Sequence, residues 1–145
     1  MGEFEGKSVI VTGGALGIGG GTSEAFADAG ALVTIMDNND EAGSSLAKRI
    51  NDAGGGAQFI SADAGYSSDC KKTVEAAVKL YGGVDIVFNN VGIQPPDSYL
   101  DAVELPEEMW DRILDVNLKS RYLMAKYAIP EMRKAGGGVL IHSAS

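Results

Sequence analysis

Short apolar runs rich in β-branched residues alternate along this chain with longer stretches of helical period, and glycine clusters separate them. A parallel sheet with helices on its faces requires this alternation, because each crossover needs a helix to bring the chain back. Ser8-Val-Ile-Val-Thr12 predicts a first buried strand, followed by a glycine cluster and a helix from about Gly19 to Ala29, with Gly30 as its stop. Leu32 to Met36 predicts a second strand. Asp40 to Ala53 predicts a second helix with Ala42, Leu46 and Ile50 on one face, ended by Gly54, Gly55 and Gly56.

A third strand is expected over Ala57 to Ser61, and a helix from about Ser68 to Tyr81 that buries Cys70, Val74 and Val78. Val84 to Phe88 is continuously apolar, as a strand covered on both faces must be. The loop from Asn89 through Asp101 holds two prolines and resists a single regular element. From Pro106, which suits a first helical turn, the period is helical to about Lys134. Pro130 removes a backbone donor there and is expected to kink or restart the helix. Val139 to His142 begins a fifth strand. No tandem repeat and no linker divides the 145 residues, so residues 1–145 read as one domain.

Composition narrows the function. With 45% apolar and 22% charged residues the chain is ordinary for a globular domain. A net charge of −8 argues against nucleic acid or anionic lipid as a partner, since both recruit Lys and Arg by releasing counterions. Cys70 is the only cysteine, which excludes an internal disulfide and a cysteine-built metal site, and no metal is expected. Met1 to Lys7 is polar and no run is long enough to span a bilayer, so the expectation is a cytoplasmic protein working on small molecules, with no nucleic acid and no membrane.

Two features carry the chemistry. Thr12-Gly-Gly-Ala-Leu-Gly-Ile-Gly19 joins the first strand to its helix, where glycines let the backbone turn sharply and approach a ligand. A helix start also offers free N–H groups and a positive dipole end to a pyrophosphate. The strict GxGxxG spacing fails, because Thr22 stands at its last glycine, while GxxxGxG fits at Gly13, Gly17 and Gly19. Asp37, at the end of the second strand, stands at the distance expected of a ribose-binding acid. A carboxylate there accepts the ribose hydroxyls of NAD and repels the 2′-phosphate of NADP by roughly 4 kcal/mol per charge pair at 4 Å, less with screening. Leu16, Asn38 and Asn39 supply no adjacent cation. The competing reading of Asp37 is a turn residue before Asn38-Asn39.

These residues together resemble the short-chain dehydrogenase/reductase family, and the likeness runs the length of the chain. The glycine turn is similar to that family's cofactor signature, and Asn89-Asn90-Val91-Gly92 to its Asn-Asn-Ala-Gly motif, with Val for Ala. The resemblance implies cofactor contacts from Gly13, Leu16, Gly17, Ile18, Gly19, Asp37, Asn90 and Gly92, and adenine contacts from Asp63 and the backbone of Ala64. It also makes Asn117 the catalytic Asn that supports a bound water, and Ser145 the catalytic Ser, with Ser143 the alternative if the register slips by two. His142 reads as a strand residue. The implied fold is α/β, a doubly wound parallel sheet of the Rossmann type with about five strands present and incomplete at its C-terminal side.

Some positions depart from the family pattern. Gly20 and Gly21 stand where a helix former or basic residue is usual, which is expected to loosen the helix by about 1 kcal/mol per glycine. Leu105 occupies a capping position, and no Tyr-x-x-x-Lys follows Ser145. Tyr122 with Lys126 is no substitute, reading instead as a helix-surface pair. The expectation is therefore the cofactor-binding part of a longer NAD-dependent oxidoreductase acting on an alcohol or carbonyl substrate, a homodimer or homotetramer when whole, and doubtful as a catalyst in this portion alone. A short non-catalytic dinucleotide-binding module, or another doubly wound nucleotide binder such as a methyltransferase, are the alternatives.

Overall fold

The computed structural model describes residues 2–144. Five strands, β1 (Ser8–Thr12), β2 (Leu32–Asp37), β3 (Gly56–Ser61), β4 (Ile86–Asn89) and β5 (Val139–His142), form one sheet in the order β3-β2-β1-β4-β5. Every pairing is parallel. The chain winds outward from β1 to β3 and then returns to the other side of β1, so the topological switch lies between β1 and β4. Ligands of such sheets bind outside the carboxyl ends of the strands at that point.

Side chains of β1 alternate between two cores. Val9 and Val11 join Val33, Ile35, Ala27, Leu46 and Ile50 under helices α1 (Gly17–Asp28) and α2 (Asp40–Asp52). Ile10 joins Met36, Val87, Cys70, Val74, Leu123 and Met124 under α3 (Ser67–Tyr81) and α5 (Ser120–Lys134). All five residues of β1 are buried, as expected of a central strand covered on both faces.

The predicted elements are present with boundaries shifted by one or two residues. Val78 is only half-buried, and Thr73 and Ala77 take the fully buried positions of α3 instead. Asn89, read as loop, closes β4 and is fully buried. Pro106 precedes the helix α4 (Glu107–Leu114) as its N-cap and makes no side-chain cap bond.

The larger difference concerns the long helix. It continues through Pro130, whose neighbours Ala128 and Met132 are buried against the core and hold the turn in place. The irregularity lies instead at Asp115–Lys119, a π turn between α4 and α5 in which the Ser120 N–H bonds the Asp115 carbonyl five residues back. Pro130 withholds a single donor, a loss that buried contacts on both sides offset.

Candidate active site

The glycine turn folds against the end of β4 through one hydroxyl. Thr12 Oγ1, fully buried, accepts from the backbone N–H of Asn90 at 3.1 Å and of Val91 at 3.2 Å. The Asn90 side chain donates to the Gly13 carbonyl at 3.3 Å. Gly13 has φ +60, and a Cβ there would stand 3.0 Å from Val91 Cα. A Cβ on Gly19 would fall 1.9 Å from the Gly13 carbonyl oxygen. Gly13 is thus required by its left-handed φ and by close backbone approach, and Gly19 by close approach alone. No side chain caps α1, so the N–H groups of its first turn have no side-chain acceptor.

Asp37 reaches this turn from β2. Its Oδ2 accepts from the Ala15 N–H and its Oδ1 from the Asn39 N–H, both at 3.0 Å. Each carboxylate oxygen keeps a second lone pair, so these bonds leave acceptor capacity for a ribose hydroxyl.

Gly13, Leu16, Asp37, Asp63, Ala64, Asn90 and Gly92 line one cleft of about 350 Å³ at the switch point, with Val91, Arg112 and Val116 completing its far wall. Gly17 lines the neighbouring groove between α1 and α2, Ile18 is 76% exposed, and Gly19 is buried beneath the turn. Asn117 stands behind the cleft, its amide paired with the backbone of Ile93. Ser145 lies outside the described residues. Tyr122 and Lys126 form a surface pair on α5, with the ammonium 5.9 Å from the ring centroid.

Two arginines escaped the reading of the sequence. Arg112 of α4 grips Asp63, with Nη2 2.5 Å from Oδ2 and Nη1 3.2 Å from Oδ1, and its hydrogen bond to that carboxylate raises its own pKa. It stands four residues before Val116 and so shares its helix face, a spacing that could have placed it at the cleft. Arg121 at the start of α5 donates to three backbone carbonyls, and burial lowers its pKa. No local signal announced its reach, because two of its partners, Val91 and Ser143, lie 30 residues before and 22 residues after it.

A glycine-lined turn braced by Thr12 and Asn90, an acid at the end of β2 and a parallel sheet that reverses beside them define a doubly wound α/β domain of the Rossmann type. The profile of the family described as short chain dehydrogenase matches residues 7–145, and the chain belongs to that family. It is 39% identical over 143 residues to an uncharacterised oxidoreductase of Thermotoga maritima, covering 99% of this chain and 55% of that protein. It is also 39% identical over 144 residues to tropinone reductase-like 1 of Erythroxylum coca, covering 99% and 52%. A solved 7α-hydroxysteroid dehydrogenase, complexed with NADH and 7-oxo glycochenodeoxycholic acid, superposes with a TM-score of 0.90 at 31% identity over 98% of this chain and 54% of that one. The chain spans about half the length of the curated relatives it matches.

Proposed function

We propose that this chain is the cofactor-holding part of an NAD(H)-dependent oxidoreductase that interconverts an alcohol and a ketone or aldehyde. The observation that carries the reading is Asp37: its carboxylate sits at the glycine turn, bonded to the Ala15 N–H, in a cleft whose only lining cation among the described residues, Arg112, is already bound to Asp63. A ribose diol is welcome there, and a 2′-phosphate would meet an uncompensated negative charge.

The residues fit a nicotinamide dinucleotide. Gly13 and Gly19 keep Cβ atoms out of the turn, the uncapped start of α1 suits a pyrophosphate, and Asp63 with the Ala64 backbone, which line the same cleft, are assigned to adenine. When bound, the nicotinamide ring supplies or accepts the hydride. Asn117 holds the loop after β4 against the helix, and Ser145 is assigned to hydrogen-bond the substrate oxygen. The general acid/base is assigned to a Tyr with a neighbouring Lys in the remainder of the family's length. Exposed Trp110 of α4, Leu118 of the π turn and Tyr122 of α5 support self-association of the whole protein into a homodimer or homotetramer through this long helix.

Fluorescence titration of the full protein with NADH and NADPH tests the cofactor. NADH is expected to bind at least about tenfold tighter, and Asp37→Ala to narrow the gap by weakening NADH and admitting NADPH. Equal or tighter NADPH binding by the unaltered protein would overturn the assignment.

A further inference from the structure

We propose that Arg121 is a positioning residue, whose guanidinium ties the segment leaving β5 toward Ser145 to the loop after β4 and to the π turn. The inference rests on the reading of Ser145 as the group that holds the substrate oxygen. Nη1 donates to the Val91 carbonyl at 2.7 Å, to the Val116 carbonyl at 3.1 Å and to Ser120 Oγ at 3.1 Å. Nη2 donates to the Ser143 carbonyl at 3.2 Å. Three chain segments far apart in sequence therefore meet on one side chain at the carboxyl edge of the sheet, where ligands of this fold bind.

The chemistry suits Arg. Its five donors form a rigid fork that reaches several acceptors at once, whereas an ammonium is a compact point charge. Among the described residues no carboxylate lies within ion-pair distance of it, so backbone carbonyls solvate this half-buried cation. Burial lowers its pKa, as expected of a cation held by dipoles rather than by an opposite charge. The bond to Ser143 fixes the backbone two residues before Ser145, and the bond to Val91 fixes a wall of the cofactor cleft. One side chain thus couples the backbone at Ser143 to the cleft.

The test uses Arg121→Ala and Arg121→Lys in the full protein, with NADH affinity, turnover of an alcohol and amide hydrogen exchange as readouts. Arg121→Ala is expected to lower kcat about tenfold or more while the NADH Kd changes by less than about threefold, since small misplacements at a reacting centre are costly. Exchange should rise at residues 91–93 and 139–144 and stay unchanged in β1 and β2. Arg121→Lys should recover part of the loss, and millimolar methylguanidinium should restore part of the turnover of Arg121→Ala. Unchanged turnover, unchanged exchange at those segments, or a rise spread evenly over the sheet would each overturn the proposal. If the unaltered protein turns over no alcohol with NAD, the proposed function fails, and exchange alone then decides the role of Arg121.

Discussion

Asn117 closes two hydrogen bonds with the backbone of a single residue, Ile93. Its Nδ2 donates to the Ile93 carbonyl at 2.8 Å and its Oδ1 accepts the Ile93 N–H at 2.7 Å. The side chain thereby stands in for a neighbouring strand and pins the loop after β4 to the π turn. Asp at this position would keep the acceptor but set an anionic oxygen against the Ile93 carbonyl. Asn117→Asp is expected to cost about 1 kcal/mol, the usual worth of one hydrogen bond at a half-buried site, read as a shift in the urea midpoint.

Gly20 and Gly21 are neighbours with opposite consequences. A Cβ at Gly20 would lie 2.9 Å from the Ala15 carbonyl oxygen, whereas one at Gly21 would meet nothing within 4 Å. Only Gly21 is therefore the simple helix-propensity defect expected of both from sequence. Gly21→Ala should stabilise by about 0.5–1 kcal/mol in chemical denaturation, and Gly20→Ala should destabilise by forcing the turn apart.

The Arg112 to Asp63 pair ties α4 to the loop after β3. Both side chains are partly exposed, so a double-mutant cycle with Arg112→Met and Asp63→Asn should give a coupling of no more than about 1 kcal/mol, weakened by added salt. Loss of either partner is also expected to weaken ADP-ribose binding, measured by calorimetry.

Burial, followed by the charges of Asp69 and Asp63, pushes the Cys70 thiol up to about 12 from 9.0. A raised folded-state pKa means the folded chain holds the proton that the unfolded chain releases. The stability this group contributes is whole below pH 9 and is lost as pH rises from 9 toward 12. Between about pH 8 and about pH 10.5 the unaltered protein should lose more stability than Cys70→Ala, followed by urea midpoints. At the lower pH, thiol reagents should label Cys70 only upon unfolding.

Element type and order were legible along the chain because they depend on local periodicity. Val9, Ile10 and Val11 mark a strand covered on both faces, and Leu46 with Ile50 marks a helix face, from spacing alone. That these residues share one cleft was legible for the same reason: the glycine turn, Asp37 and the Asn90 motif each sit at the end of a strand, and parallel strands bring such ends to one edge. Tertiary structure alone decided the rest. The break in the long helix moved from Pro130 to the segment holding Asn117, because buried neighbours hold the helix at Pro130, while around Asn117 the chain is tied to Ile93 and to Arg121. Arg112 and Arg121 acquired partners 49 and 30 residues away, respectively. A guanidinium on a helix looks like any solvated surface charge until the fold supplies the acceptors it reaches, and no local pattern encodes those distances.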